Sequence, residues 1–235
     1  MNKRLVRHVG FLVVLALAGH VRVALALEGY PESWCRGGMF SRPLGREPNL
    51  SPGRVVGNGP AYLLSDDDGC PLRPSRGQSC RTRDSIRPGF PVAILPNAMP
   101  GLACVLDLGH PGQPYGWLPQ ARVQMSSLDL APPLAAWRGK WRKFDDTIVL
   151  TTGRDGRLSV QGRAYWPGRS ISPRHTGELS DTARPEGNRV TFSGEDPTLC
   201  TAKLELLGPN LLAANENGQC GGANVSFGGV YTRIR

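Results

Sequence analysis

The sequence predicts an all-β protein, with a small β-barrel domain followed by an eight-stranded antiparallel barrel. Three observations lead there. After the first 26 residues no apolar pattern of helical period lasts beyond a turn or two, whereas period-2 alternation recurs. The chain holds 30 Gly and 21 Pro, the punctuation expected between many short strands. The closing stretch from Cys220 to Arg233 alternates Asn224, Ser226 and Gly228 with Val225 and Phe227. Such alternation marks a strand with one dry and one wet face, and here it predicts a strand at 224–231 that pairs back onto an opening strand around Trp137-Arg138-Gly139-Lys140-Trp141.

Residues 1–26 carry a basic start (Lys3, Arg4, Arg7), an apolar run from Val9 to Ala18, and Ala24-Leu25-Ala26, a small-x-small pattern. Those are the parts of a secretory signal peptide. The apolar run is about half the ~20 residues a membrane span needs, so no span is expected once the leader is cleaved. The full chain has a net charge of +9, and removing the leader's four cations leaves +5. That is mildly basic and far from the charge density of a nucleic-acid binder. Anionic surfaces remain electrostatically compatible partners.

All six cysteines, Cys35, Cys70, Cys80, Cys104, Cys200 and Cys220, follow the leader. An even number in an exported chain predicts disulfides. Four precede the proline-rich divider Asp129-Leu130-Ala131-Pro132-Pro133 and two follow it. Domain-local pairing then gives Cys200 with Cys220 and one of three connectivities for the others. No Cys-x-x-Cys pair occurs and only His110 and His175 lie beyond the leader, so no metal site is expected.

The expected organisation is an irregular segment at 27–53, a β domain at 54–128, the linker at 129–133 and a barrel at 134–235. In the first domain, 54–65 reads as two short strands around a Gly57-Asn58-Gly59-Pro60 turn, and Asp66-Asp67-Asp68-Gly69 as a solvated acidic turn. Three more strands are expected at 90–95, 102–107 and within 115–123. The order of these elements, with Gly89-Phe90-Pro91-Val92 and Gly116-Trp117-Leu118, resembles bacterial Src-homology-3-like domains of the cell envelope.

In the second domain, strands are expected at 139–144, 147–152, 157–165, 176–179, 189–193, 201–207, 211–215 and 224–231. Gly153-Arg154-Asp155-Gly156 and Gly208-Pro209-Asn210 are strong turn signals. Every link is short, so an antiparallel meander is the economical topology, and eight strands can close on themselves. Gly139-x-Trp141 with Tyr231 and Arg233 is similar to the way lipocalin-like and avidin-like barrels open and close. That likeness implies a Trp across the barrel floor with a late basic side chain over it. The run Cys220 to Tyr231 resembles a family of uncharacterised proteobacterial exported proteins ending in Cys-Gly-Gly-x-Asn-Val-x-Phe-x-Gly-x-Tyr, from which no activity follows.

Catalytic sets are sparse. His110 lies in Gly109-His110-Pro111-Gly112 and His175 in a loop, both read as surface imidazoles, and there is no Gly-x-Ser-x-Gly elbow. Asp145-Asp146 read as an exposed turn, while Glu178, Asp181, Glu205 and Glu216 cannot be paired from sequence. No catalytic residue and no cofactor is expected. Binding has better material in Trp141, Tyr165, Trp166, Phe227, Tyr231 and Arg233, the candidate ligand contacts, although aromatics in a narrow barrel mostly fill it. A basic run of Arg138, Lys140, Arg142, Lys143, Arg154, Arg157, Arg163, Arg169 and Arg174 would attract a carboxylated or phosphorylated partner if it shared one rim.

The expectation is therefore a non-catalytic protein of the periplasm or exterior that binds a ligand, a cell-wall polymer or an envelope protein. Size, export, a disulfide and Ser226-Phe227-Gly228-Gly229-Val230-Tyr231 give an alternative, a lysozyme-inhibitor-like barrel. A further alternative is a hydrolase with an unrecognised carboxylate site.

Overall fold

Among the described residues, fifteen antiparallel strands in two sheets make up the ordered elements, joined by loops and two single 3₁₀ turns. The computed structural model describes Cys35 and residues 49–65, 69–71, 79–110, 112–166, 175–194 and 199–234. The leader and the Asp66–Asp68 turn lie outside the described residues. Among the described residues no helix is long and apolar enough to cross a membrane.

The first sheet contains β1 (Ser51–Val55), β2 (Ala61–Leu64), β3 (Arg81–Ile86), β4 (Pro91–Met99), β5 (Leu102–Asp107), β6 (Tyr115–Pro119) and β7 (Val123–Met125), in the order β3-β2-β6-β5-β4-β1-β7. Its central strand β5 is the apolar run Leu102-Ala103-Cys104-Val105-Leu106. Such a run, rather than an alternating one, suits a strand covered on both faces. Strand β3, Arg-Thr-Arg-Asp-Ser-Ile, lies at one end of the sheet order with only its last residue buried.

The second sheet contains β8 (Gly139–Lys143), β9 (Asp146–Thr152), β10 (Leu158–Trp166), β11 (His175–Ala183), β12 (Arg189–Phe192), β13 (Ala202–Gly208), β14 (Leu211–Glu216) and β15 (Gly229–Ile234). Its order, β11-β10-β9-β8-β15-β14-β13-β12, is an up-and-down meander bent into a nearly closed barrel. The last strand pairs with the first, Thr232 opposite Arg142, Arg233 opposite Trp141 and Ile234 opposite Lys140. The seam falls instead between β11 and β12, where Gly194 N–H donates to Asp181 Oδ2 at 2.8 Å.

The expected closing strand at 224–231 needs correction, because the ladder starts only at Gly229. Val225 and Phe227 do turn inward, as their spacing implies. The backbone around them is irregular: Asn224 has φ +65°, and Lys143 Nζ takes the carbonyls of Ser226 and Gly228 at 3.2 and 2.6 Å. A side chain satisfies oxygens that a strand would have given to a neighbour.

The barrel is filled. Trp137, Trp141, Phe192, Phe227 and Tyr231 are fully buried among Ile148, Leu150, Leu158, Val160, Leu204 and Leu212. Eight strands leave an interior about wide enough for its own side chains. Arg233 lies over the floor with its guanidinium carbon 4.2 Å from the Trp141 ring centroid. It also donates through Nε to Pro209 O at 2.7 Å, and through its two terminal nitrogens to Arg138 O and Ala136 O. Gly139, at φ +152°, makes room for this side chain, since a Cβ there would sit 2.8 Å from Arg233 Nη1.

A second core joins the two sheets. Leu95, Met99, Cys104, Leu106 and Trp117 of the first sheet pack with Leu207, Leu211 and Val230 of the barrel wall. This explains why β13 and β14 are buried almost throughout: one face meets the barrel interior and the other meets the first sheet. The disulfides are Cys35–Cys104, Cys70–Cys80 and Cys200–Cys220. Three such bonds suit an oxidising compartment.

Candidate functional site

Where the outer wall of the barrel leaves the first sheet, a cleft of about 320 Å³ opens. The first sheet contributes Leu106 of β5 and Tyr115 of β6, and the loop between them Gln113; the β8–β9 hairpin contributes Lys143, Phe144 and Asp146; β10 contributes Tyr165. The segment before β15 closes it with Asn224, Ser226 and Gly228, so the Cys-Gly-Gly-x-Asn-Val-x-Phe-x-Gly motif supplies one wall.

The hairpin is built for this position. Lys143 and Asp146 pair across it, leaving Phe144-Asp145 as a two-residue loop. Both favoured two-residue turns need positive φ at the first loop position, where glycine or asparagine is usual. Phe144 takes that position at φ +53° and is 60% exposed. A bulky residue in the left-handed region is an outlier. Asn224 (φ +65°) and Gln113 (φ +44°) share the conformation. Among the described residues these are the three non-glycine positions with positive φ, and all three line the same cleft.

Beneath the cleft Lys143 is held on several sides. Its ammonium is 3.0 Å from Asp146 Oδ2, donates to Ser226 O and Gly228 O, and lies 5.3 Å from the Tyr231 ring centroid. Gly229 (φ +134°) lets the stem pass, because a Cβ there would be 2.7 Å from Lys143 Cδ. Burial lowers the Lys143 pKa against the opposing pull of Asp146 and Glu216. Asp146 also accepts Tyr165 N–H at 2.8 Å, and Glu216 accepts the Ser226 hydroxyl at 2.9 Å and Gly218 N–H at 2.6 Å. The reading of Asp145-Asp146 as an exposed turn thus holds for Asp145 alone; Asp146 is buried because it answers the lysine.

The six aromatic and basic candidates separate. Trp141, Phe227 and Tyr231 fill the barrel, and Arg233 caps its floor, so no open interior presents them. Trp166 is half-buried with its ring 5.3 Å from His175, whose Nδ1 is 2.6 Å from Ala223 O. Tyr165 alone lines the cleft. Sequence reasoning missed Gln113, Tyr115 and Phe144 as site residues; the one signal available for Phe144 was its place in a short hairpin. His110 is more than a surface imidazole: its Nδ1 bonds to the buried Asp107, which also accepts Gly109 N–H at 2.8 Å, and its ring stacks on Phe90. Of the described residues of the basic run, Lys143 alone reaches the cleft, while Lys140, Arg142 and Arg163 are exposed on barrel strands; Arg169 and Arg174 lie outside the described residues.

Two outcomes follow from this geometry. Phe144→Gly removes a strained conformation costing roughly 1–3 kcal/mol and adds roughly 0.5–1 kcal/mol of chain entropy. It is expected to raise the denaturant midpoint, by up to about 2.5 kcal/mol of stability. Alkaline unfolding supplies the second. Burial, then Asp146 and Glu216, push the Tyr231 pKa well above 10.0. Above that pH the unfolded chain has lost a proton the folded one keeps, so stability falls as pH rises. Lys143, shifted below 10.5, opposes this fall only up to 10.5. Denaturation midpoints measured from pH ~9 to ~12 should therefore drop above about 10.5, and Tyr231→Phe should flatten the drop.

Neither a family model, nor a curated protein, nor a solved structure matches this chain.

Proposed function

We propose that this is a non-catalytic exported protein of the periplasm or cell exterior that binds its ligand in the cleft between the two sheets. The observation that carries the reading is the convergence of Gln113, Phe144 and Asn224, all at positive φ, on that one cleft. Strain of this kind persists where surrounding structure holds it and collects at binding and active sites. Half-exposed Tyr115 and Tyr165 beside Phe144 supply the apolar contact area of a ligand pocket.

Catalysis has weaker support. Asp146 and Glu216 are each committed to donors, all six cysteines are bonded in disulfides, and His110 has the buried Asp107 as its hydrogen-bonding partner among the described residues. A nucleophile held against an oriented base is the arrangement this chemistry needs.

A fragment screen followed by nuclear magnetic resonance tests the reading on the isotope-labelled protein. Hits should shift the amides of Phe144, Tyr165, Ser226 and Gly228. Hits that gather at the β11–β12 seam or on the exposed face of β8–β10, and spare those amides, would remove the proposal.

A further inference from the structure

We infer that the cleft takes an uncharged saccharide, one or two rings of a glycan chain, an inference that rests on the cleft being the binding surface. Charge is the first argument. Among the described lining residues the ionisable acid and base are Asp146 and Lys143, and they pair with each other at 3.0 Å. The ammonium's other hydrogen bonds go to the Ser226 and Gly228 carbonyls. Among the described residues lining the cleft no cation is left over for a phosphate or carboxylate, and an anionic ligand there would have to break a largely buried ion pair. Of the described residues of the basic run, Lys143 lines the cleft, and its charge is already paired.

Shape and polarity supply the second. Tyr115, Phe144 and Tyr165 are 38%, 60% and 39% exposed, three aromatic side chains lining one opening. The side-chain amides of Gln113 and Asn224 face no protein hydrogen-bond partner among the described residues, and each offers a donor and an acceptor. A pyranose ring matches this set, with apolar C–H faces for the aromatic rings and hydroxyl or acetamido groups for the amides. At about 320 Å³ the cleft is at the small end of the ~300–1,000 Å³ range of ligand pockets, enough for part of a chain. Left-handed backbone at Gln113, Phe144 and Asn224 fixes these groups before the ligand arrives, which lowers the ordering cost of binding.

A peptide main chain is disfavoured for a specific reason. Strand addition needs free backbone groups at an edge, and the Ser226 and Gly228 carbonyls in the wall are already taken by Lys143.

Calorimetric titration of the full chain with chitotetraose, cellotetraose and an oligogalacturonate decides the matter. At least one neutral oligomer should bind saturably with a Kd of about 1 mM or tighter, unaffected by added salt. Chitotetraose alone would point to an acetamido-sugar source, and both neutral oligomers to general hexose recognition. Tyr165→Ala and Tyr115→Ala, whose half-exposed rings leave the core intact, should each weaken binding tenfold or more while the thermal midpoint stays put. Binding of the galacturonate alone, binding that both variants leave unchanged, or no binding by any oligomer each overturns the saccharide assignment. In the last case, fragment hits still mapping to Phe144 and Tyr165 would leave the binding reading standing.

Discussion

Asp146→Ala is expected to cost about 3–5 kcal/mol, the largest loss of any exposed-cleft substitution, because it strands the half-buried Lys143 ammonium. The same change removes the acceptor of Tyr165 N–H, so the backbone that carries one wall of the cleft loses its tie to the hairpin. Lys143→Met in the Asp146→Ala background should recover a large part of the loss, since no unpaired charge then remains. Chemical denaturation of the two single variants and the double variant measures this as a coupling energy. Additive losses would mean that the pair contributes little and that the cleft floor is held by packing alone.

Arg233→Lys is expected to cost about 2–3 kcal/mol. Three donors of one guanidinium reach Pro209 O, Arg138 O and Ala136 O, tying the β13–β14 turn and the entry to β8 onto the last strand. An ammonium has no rigid fork to span these carbonyls, and it gives up the planar face that lies on Trp141. Arg142→Lys, exposed on neighbouring β8, is the control and should stay within about 0.5 kcal/mol of the parent. Equal effects at both positions would show that the cap over the barrel floor is dispensable.

Much of the barrel was legible because its strands obey local rules. Residues 147–152, 157–165 and 201–207 alternate or run apolar between clear turns, and each matches a strand to within two residues. The Cys200–Cys220 bond was also expected from the cysteine positions, and the stacking of Arg233 on Trp141 from the likeness to lipocalin-like and avidin-like barrels. Strand β3 was missed because Arg81-Thr82-Arg83-Asp84-Ser85 buries no periodic face; its place comes from pairing with β2. The segment 224–228 alternates like a strand, yet Lys143, 81 residues before Asn224, removes its carbonyls from the ladder.

The candidate site was less legible for a related reason. Its walls come from both sheets, so Tyr115 and Gln113 meet Phe144 and Asn224 only through long-range packing. Positive φ announces itself in a sequence at glycine or asparagine, and neither phenylalanine nor glutamine signals it. Aromatic content pointed instead to Trp141, Phe227 and Tyr231, where apolar burial rather than recognition sets the residue type. The same aromatic content also picked out Tyr165, which lines the cleft because it points outward on a strand whose inward neighbours are core.

The central claim is that backbone strain at the cleft is retained for binding. Phe144→Gly tests it most directly when stability and affinity for a ligand of the parent protein are measured on the same sample. The account predicts a higher denaturation midpoint together with at least tenfold weaker binding. A higher midpoint with unchanged affinity would contradict it, since the strained ring would then serve no ligand.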